Sequence, residues 1–233
     1  MNKRFEQNIG DGIVLETKNL GKQVSSPEGR LTILDDVTIQ VTAGESIALV
    51  GPSGAGKTTL LALLAGLDRP TTGSVRLCGE DLTSMDEDGR AQVRGRHVGF
   101  VFQSFHLVSS LTALENVMLP LELAGDSSSG AAARAKEALV SVGLERRTTH
   151  YPKQLSGGEK QRVAIARAFV SGPSILFADE PTGNLDTASG DRVTDLLFSM
   201  NEQSNTTLVL VTHDRELAKR CDRIIELDAG RML

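Results

Sequence analysis

The chain has 233 residues and a formal net charge of −5, a length that suits one well-buried α/β domain or a core with a small subdomain. Its acidic balance argues against broad, sequence-independent binding to nucleic acid, so we expect no nucleic-acid partner. No apolar run approaches the roughly 20 residues of a membrane span, and residues 1–10 carry no apolar stretch behind their basic residues, so we expect a cytoplasmic chain without a secretory leader.

The N-terminal part of the chain carries strand signals. Apolar patterning predicts strands at Ile13–Leu20 and Ile33–Val41, with a turn-rich loop, Ser25–Arg30, between them. A short apolar run predicts a further strand at Ser46–Val50. We expect the N-terminal strands to form an antiparallel β subdomain.

Strand and helix signals alternate farther along. A buried strand, Val98–Phe102, leads directly into Gln103. Helix signals dominate from about Ser104 to Val170, which we interpret as an inserted helical subdomain. Within it Gly125–Ala133 is predicted to be an exposed flexible connection, and Ala131–Leu144 is predicted to carry a helix that ends near Gly143. The remaining predicted elements are strands Val75–Leu77, Ile175–Ala178, Thr207–Val211 and Arg223–Leu227, and helices Asp86–Arg96, Ala188–Met200 and Glu216–Arg220.

The alternation of strands with helices predicts an α/β fold with a mainly parallel sheet wound by crossovers. We predict a single domain over residues 1–233, in which 1–103 and 171–233 form the core with the β subdomain and about 104–170 form the helical subdomain. Because the last strand signal ends just before Leu233, we expect no C-terminal regulatory domain.

The segment Gly51–Thr59, GPSGAGKTT, matches the phosphate-loop template GxxxxGKT between a predicted strand and a predicted helix, Lys57–Ala65. Glycines let successive N–H groups point at a phosphate, and the helix turns its partial positive end toward the same group. Lys57 adds a positive charge, and Thr58 can offer its hydroxyl to Mg²⁺. The pattern predicts a P-loop NTPase core. Its predicted nucleotide contacts are Gly51, Pro52, Ser53, Gly54, Ala55, Gly56, Lys57, Thr58 and Thr59.

The segment ILFADE, Ile175–Glu180, is an apolar strand that ends in two acids. Next to a phosphate loop, Asp179 is suited to hold Mg²⁺ through its water shell, and Glu180 to accept a proton from an attacking water. Solvated acids at a strand end are the simpler alternative. The order of the two motifs along the chain favours the catalytic interpretation.

The segment LSGGEKQRVAIARA, Leu155–Ala168, places Ser156, Gly157 and Gly158 at the start of a predicted helix, where they can form a second phosphate site. Ser156 with Glu159 also fits a capping box, and the two roles are compatible. This stretch resembles the signature motif of ABC ATPases, with Glu159 where many members have Gln. The resemblance extends from about Ile13 to Arg231.

Membership of this family implies a head-to-tail homodimer with two ATP molecules between the subunits, each covered by the partner's signature. Gln103 is similar to the loop glutamine that meets Mg²⁺ and the attacking water. The segment Gly183–Asp186 resembles the loop that connects the two sites, so Asp186 is a predicted nucleotide-site residue. His213 is similar to the histidine that contacts the γ-phosphate and holds Glu180. The implied cofactors are ATP and Mg²⁺, the metal being held by Thr58, Gln103 and Asp179.

Two longer stretches, VGFVFQSFHLVSSLTALENVMLPL and DEPTGNLD, resemble the group of lipoprotein-release and macrolide-export ATPases. This implies an ATPase on the cytoplasmic face of a bacterial inner membrane that drives an integral-membrane permease. Residues Ser104–Glu115, called the docking segment below, would meet the permease through Phe105, Leu107, Val108 and Leu111. Ordinary packing inside the helical subdomain is the alternative for each of these side chains.

Two other functions remain open for the sequence. One is a soluble ABC ATPase that acts in translation or DNA repair, although such chains usually carry tandem cassettes or long coiled-coil insertions, and neither is seen here. The other is a scaffold of a membrane complex that turns over little ATP, because intact motifs do not prove that the chain hydrolyses ATP at a useful rate.

Many family members stack an aromatic side chain on adenine, and the aligned position here is Val24. We predict that Val24→Tyr tightens ATP binding by about 0.5 to 1.5 kcal/mol, since it supplies the missing ring face. Titration of both proteins with ATP measures the two dissociation constants. Equal constants would contradict the alignment or the stacking argument.

Overall fold

A computed structural model describes residues 12–26 and 29–233 of the chain. Residues 1–10, where we expect no leader, and the middle of the predicted loop Ser25–Arg30 lie outside the described residues. The chain divides into two compact units, the first made of residues up to Arg94 together with Thr207–Leu233, and the second of Gly95–Thr206.

The N-terminal part of the first unit is built on an antiparallel sheet. The elements in chain order are β1 (Ile13–Ser26), β2 (Gly29–Val37), β3 (Gln40–Thr42), β4 (Ser46–Val50), α1 (Lys57–Leu64), β5 (Thr72–Leu77), β6 (Glu80–Asp81) and α2 (Glu87–His97). Strand β1 pairs antiparallel with β2, β3 and β5, and β5 pairs antiparallel with β6, which confirms the predicted N-terminal antiparallel subdomain.

The prediction of one strand over Ile33–Val41 is wrong, because β2 ends at Val37 and β3 begins at Gln40. The hydroxyl of Thr17, a fully buried residue of β1, donates to the Val37 carbonyl at 3.1 Å and accepts from the Ile39 amide at 2.9 Å. The Thr17 side chain therefore satisfies main-chain groups on both sides of the break, and pairing with β1 resumes in β3.

The second unit joins two parallel strands to a group of helices. The elements are β7 (Val98–Phe102), α3 (Ala113–Leu123), α4 (Ser128–Ser141), a 3₁₀ helix (Pro152–Gln154), α5 (Gly157–Phe169), β8 (Ile175–Asp179) and α6 (Thr187–Ser204). Strand β7 pairs parallel with β8, from Val98 opposite Ile175 to Phe102 opposite Asp179. Helices α3, α4 and α5 pack on one another, and α5 also packs on β7 and α6.

The prediction of a flexible connection over Gly125–Ala133 is wrong, because α4 begins inside it at Ser128. The hydroxyl of Ser127 accepts from the Gly130 amide at 3.3 Å and caps the helix. A buried apolar stripe then holds α4 in the unit, with Ala131, Ala135 and Leu139 spaced four residues apart. The serine-rich composition concealed a helix cap.

The C-terminal part of the first unit supplies β9 (Thr207–Val211), α7 (Arg215–Ala218), β10 (Arg223–Asp228) and β11 (Arg231–Met232). Strand β4 lies between β10 and β9 and is parallel to both, while β11 pairs antiparallel with β10. Every residue of β4 and β9 is buried, as expected for central parallel strands. Because the carboxyl ends of parallel strands meet at one edge, the segments that follow β4 and β9 are neighbours.

Within residues 12–26 and 29–233, none of the helices combines the length and the apolar character that crossing a bilayer requires.

The capping contact of α4 yields a test of its ordered start. We predict that Ser127→Ala lowers the free energy of unfolding by about 1 kcal/mol, because the first turn of α4 loses its side-chain acceptor. Ser128→Ala, at the exposed first residue of the helix, is the matched control and should be nearly neutral. Urea unfolding measures both variants, and equal effects would show that Ser127 is not the cap.

Candidate active site

The phosphate loop of the first unit connects β4 to α1 and is shaped by glycine. Gly51 has φ 149° and Gly56 has φ 97°, both in the region that favours glycine. A Cβ on Gly51 would collide with the main-chain oxygen of Leu227, and one on Gly56 would lie 2.9 Å from the Ile33 oxygen. The loop is therefore packed against its own unit on one side, which leaves its other side for a ligand.

Lys57 lies at the start of α1, and its ammonium group is folded across the loop. Its Nζ donates to the carbonyl oxygens of Gly51 at 2.8 Å and Pro52 at 2.9 Å. Among the described residues no side chain caps α1, whose N-cap is Gly56. The first-turn amides and the lysine thus form a positively charged cradle, which fits the triphosphate of ATP.

His213 follows β9 by two residues and is exposed. Strand β9 pairs parallel with β4, and the Thr212 amide donates to the Leu49 carbonyl at 3.2 Å, so the histidine lies at the sheet edge from which the phosphate loop leaves. Asp214 caps α7 by accepting from the amides of Glu216 and Leu217. The aspartate next to His213 therefore fixes the turn that presents the ring.

In the second unit, the predicted acids stand at the carboxyl end of β8. Asp179 and Glu180 are half-buried, and Glu180 has φ 45°, a left-handed conformation that costs energy for a residue with a Cβ. Asp179 is opposite Phe102 in the parallel register, so Gln103 leaves the same edge from the neighbouring strand. The structure places these three predicted site residues in one region of the second unit.

Gln103 packs against the segment that follows Glu180. The Asn184 side chain donates through Nδ2 to the Gln103 main-chain oxygen at 3.0 Å, and Gln103 Nε2 donates to Asn184 Oδ1 at 3.5 Å. A Cβ on Gly183 would lie 2.6 Å from Gln103 Nε2, so a glycine keeps this contact close. Sequence reasoning assigned Gly183–Asp186 a role across the dimer and missed its contact with Gln103, for which no short-range signal exists.

The signature motif forms the N-terminus of α5. Ser156 Oγ accepts from the Glu159 amide at 3.3 Å, and Glu159 Oε2 accepts from the Ser156 amide at 2.8 Å, so the capping-box alternative is present in the structure. Gly157 faces Leu185, and Gly158 faces Ser189 near the start of α6. The two glycines therefore also allow close packing within the unit.

Two predicted site residues, Ser156 and Asp186, are helix N-caps, and the carboxyl groups at both caps have a lowered pKa. Asp186 caps α6 by accepting from the Ser189 amide at 3.0 Å, and hydrogen bonds from Ser189 lower the pKa of its carboxyl. Hydrogen bonding by the Ser156 amide, reinforced by the Arg147 guanidinium at 2.8 Å from Glu159 Oε1, lowers the pKa of Glu159 to about 2. Both carboxyls are thus ionised at neutral pH.

The docking segment starts with two residues in the left-handed region, Phe105 (φ 60°) and His106 (φ 47°). Arg167 of α5 donates to both of their carbonyl oxygens, at 2.9 Å and 2.7 Å, and desolvation lowers the pKa of its guanidinium. A cavity of about 320 Å³ lies beside this contact and is lined by His106, Arg167, Pro120 and Phe102 among others. Of the predicted contact residues, Phe105, Leu107 and Leu111 are half-buried and Val108 is exposed.

Comparison with known proteins shows to which family this chain belongs. The family profile described as ABC transporter matches residues 34–183, more than half of the chain. The chain belongs to the ABC transporter family of ATP-binding cassettes. It is 55% identical over 219 residues to the ABC transporter ATP-binding protein YbbA of Escherichia coli (strain K12), covering 94% of this chain and 96% of that protein.

Two further similarities, one to a curated protein and one to a solved structure, show which members of the family this chain resembles. The lipoprotein-releasing system ATP-binding protein LolD of Legionella pneumophila (strain Paris) is 48% identical over 220 residues, which cover 94% of this chain and 97% of LolD. The dimeric, post-hydrolysis structure of the cassette MJ0796 bound to ADP and Pi has a TM-score of 0.86 and 40% identity, and covers 94% of this chain and 97% of that chain.

These similarities confirm several predictions. The predicted ABC ATPase fold is confirmed, as are the predicted ATP-hydrolysing cassette and the resemblance to the lipoprotein-release group. The transporter subunit is favoured over an ABC ATPase of translation or DNA repair. Within the described residues no group of three or more His, Cys, Asp or Glu could hold a metal ion.

The capping box yields a pH-dependent prediction. The pKa of Glu159 is lowered from 4.5 to about 2, so its ionised form contributes stability that is complete above about pH 4.5 and is lost as pH falls toward 2. Glu159→Gln keeps a capping amide but cannot ionise or pair with Arg147. We expect it to be less stable than the parent by about 1 kcal/mol at pH 7, a difference that shrinks as the pH falls from 5 to 3.

Urea unfolding at pH 7, 5 and 3.5 checks this expectation. Glu122→Gln, at an exposed position of α3, is the matched control for the loss of one carboxylate. A difference between parent and Glu159→Gln that stays constant over this range would contradict the role given to the ionised capping box.

Proposed function

We propose that this cassette hydrolyses ATP as a homodimer and drives an integral-membrane permease of the lipoprotein-release and export type from the cytoplasmic face of the bacterial inner membrane. The observation that carries the proposal is the phosphate loop, whose glycine-dependent path, bridging lysine and uncapped helix start form a cradle for a triphosphate. Similarity to LolD and YbbA over 94% of the chain supports the choice of group.

ATP binding is assigned to the phosphate loop of the first unit. The main-chain N–H groups of Gly51 and Ser53–Thr59 bind the phosphates, while Pro52, which has no N–H, only shapes the loop. Lys57 exchanges its two carbonyl partners for phosphate oxygens. Thr58, Gln103 and Asp179 would hold Mg²⁺ with hydroxyl, amide and carboxylate oxygens, a set that suits this hard cation. Bound there, the cation would neutralise charge on the phosphates.

Hydrolysis is assigned mainly to positioning and charge stabilisation. Glu180 accepts the proton of the attacking water, Gln103 orients that water, and His213 contacts the γ-phosphate. Lys57 stabilises the charge that develops on the transferred group. Glu180 is suited to this task because its backbone is fixed in an unusual conformation at the end of a buried strand.

The second face of each ATP is assigned to a partner copy. Ser156, Gly157 and Gly158 offer a helix N-terminus, and Asp186 belongs to the loop between the two sites. The solved structure of MJ0796 is dimeric, which supports a homodimer here.

The permease contact is assigned to the docking segment. Its apolar side chains are not fully buried, and the cavity of about 320 Å³ beside it offers an apolar wall with one cationic side chain, Arg167. Such a surface suits a short amphipathic helix from a cytoplasmic loop of the permease. The cargo is then chosen by the permease and its extracytoplasmic partners.

The first test concerns Glu180, the proposed catalytic base. We expect Glu180→Gln to keep ATP affinity and to lower the turnover number by at least 100-fold, because the attacking water loses its proton acceptor. Glu202→Gln, on the exposed side of α6, is the matched control and should turn over like the parent. Phosphate release under saturating Mg-ATP is measured, and a Glu180→Gln rate equal to that of the parent would remove Glu180 from its role.

The same variant tests the partner. Tagged Glu180→Gln with Mg-ATP should capture, from solubilised membranes, a multi-span permease with large extracytoplasmic domains, and the purified permease should stimulate the parent ATPase. Capture of ribosomal or DNA-repair proteins, with stimulation by nucleic acid, would support the soluble class instead. Permease capture without stimulation would support the low-turnover scaffold.

A further inference from the structure

Gln161 is a fully buried residue in the first half of α5, and the role of its side chain is not explained by packing alone. Its Nε2 donates to the main-chain oxygen of Pro181 at 2.7 Å and lies within hydrogen-bond distance, 3.4 Å, of the Phe102 oxygen. Its Oε1 is buried without a hydrogen-bond partner among the described residues. Within the described residues, the Gln161 amide therefore forms hydrogen bonds through its nitrogen and not through its oxygen.

The contrast between the unpaired Oε1 and the donating Nε2 indicates that Gln161 contributes as a hydrogen-bond donor. A buried amide oxygen without a partner lowers stability, and a hydrocarbon side chain of similar size would avoid that cost. The donor end serves one carbonyl group at the end of β7 and one in the turn two residues beyond β8. Those carbonyls would lose a donor if the amide were replaced by an apolar group.

The two bonded carbonyls are next to two proposed catalytic residues. Pro181 directly follows Glu180, and Phe102 directly precedes Gln103. Glu180 is held at φ 45°, a conformation that persists for a non-glycine residue when the surrounding structure fixes it. The bonded oxygen belongs to the Pro181–Thr182 peptide, directly after the Glu180–Pro181 peptide, and a bond that fixes it can supply this restraint.

We infer that Gln161 is a positioning residue for hydrolysis. Its Nε2 ties the ends of β7 and β8 to α5, and this fixes Glu180 and Gln103 for the attack of water on ATP. The inference rests on the proposed function, since it acts through the base assigned there. ATP binding by the phosphate loop does not depend on this contact. Loss of the contact should therefore lower the turnover number and leave ATP affinity unchanged.

The experiment replaces the amide with an apolar group of similar length. For Gln161→Met we expect the turnover number per nucleotide-binding site to fall at least 10-fold, because displacement of catalytic groups by about 1 Å can cost 100-fold in rate. The ATP dissociation constant should stay within twofold of the parent value. Gln203→Met is the matched control, since Gln203 Nε2 bonds at 2.9 Å to Ser199 on the same face of α6.

Nucleotide-binding stoichiometry corrects each rate for the folded fraction, so a role in stability alone would leave the corrected turnover number unchanged and overturn the inference. Equal losses of ATP binding and turnover would overturn it too. If Gln161→Met does not fold, Gln161→Glu, which keeps the size and places an oxygen at the donor position, must show the same loss of turnover with ATP binding retained. Parental turnover in that variant would overturn the inference.

Glu180→Gln, measured in parallel, separates the two proposals. Full activity in Glu180→Gln would refute the assigned base. An inactive Glu180→Gln together with a fully active Gln161→Met would refute the positioning role alone.

Discussion

Main-chain carbonyl groups at the ends of buried parallel strands need hydrogen-bond donors, and α5 supplies donors in the second unit. The chain must turn away from the sheet after β7 and after β8, where ladder pairing stops. Gln161 reaches the carbonyl of Pro181 and lies near that of Phe102, and Arg167 reaches those of Phe105 and His106. The irregular loops thus obtain from one helix the bonds that a sheet would otherwise provide.

The same helix contacts three regions for which functions are proposed. Its N-terminus is the signature, its first half bonds near the ends of β7 and β8, after which the proposed catalytic residues lie, and its last turn bonds to the docking segment. From Ser156 to Arg167 an α-helix rises about 16 Å. Since a buried helix resists bending, α5 holds the docking segment and the signature at a fixed spacing within this unit.

Short-range signals were enough to predict the parts of the site that belong to contiguous motifs. The phosphate loop, the acids after β8 and the signature each combine special residues with the strand or helix that presents them, and the bounds of β7 and β9 match their predicted ranges. Prediction was wrong where a side chain decided the local structure. The Thr17 hydroxyl bridges a break in the expected strand, and the Ser127 hydroxyl caps a helix that begins inside a segment predicted to be flexible.

The contacts that hold the site together were beyond sequence reasoning for a different reason. Gln161 and Pro181 are 20 residues apart, Arg167 and Phe105 are 62 apart, and Asn184 and Gln103 are 81 apart. Each pair is an ordinary polar side chain and a main-chain carbonyl, a combination without a motif. Only the packing of α5 and of the loop after Glu180 makes these partners adjacent.

The glutamate at the signature position where many family members have glutamine poses an electrostatic problem that this structure resolves. A carboxylate beside a surface proposed to meet phosphates would repel them, and the low pKa of Glu159 keeps it ionised at any working pH. Arg147 neutralises it directly, with Nε at 2.8 Å, and the positive end of α5 offsets the charge further. Both carboxylate oxygens are also engaged, one with Arg147 and the other with the Ser156 amide. Since Gln and Glu both complete a capping box, the substitution adds an internal ion pair and leaves the helix start able to face a phosphate.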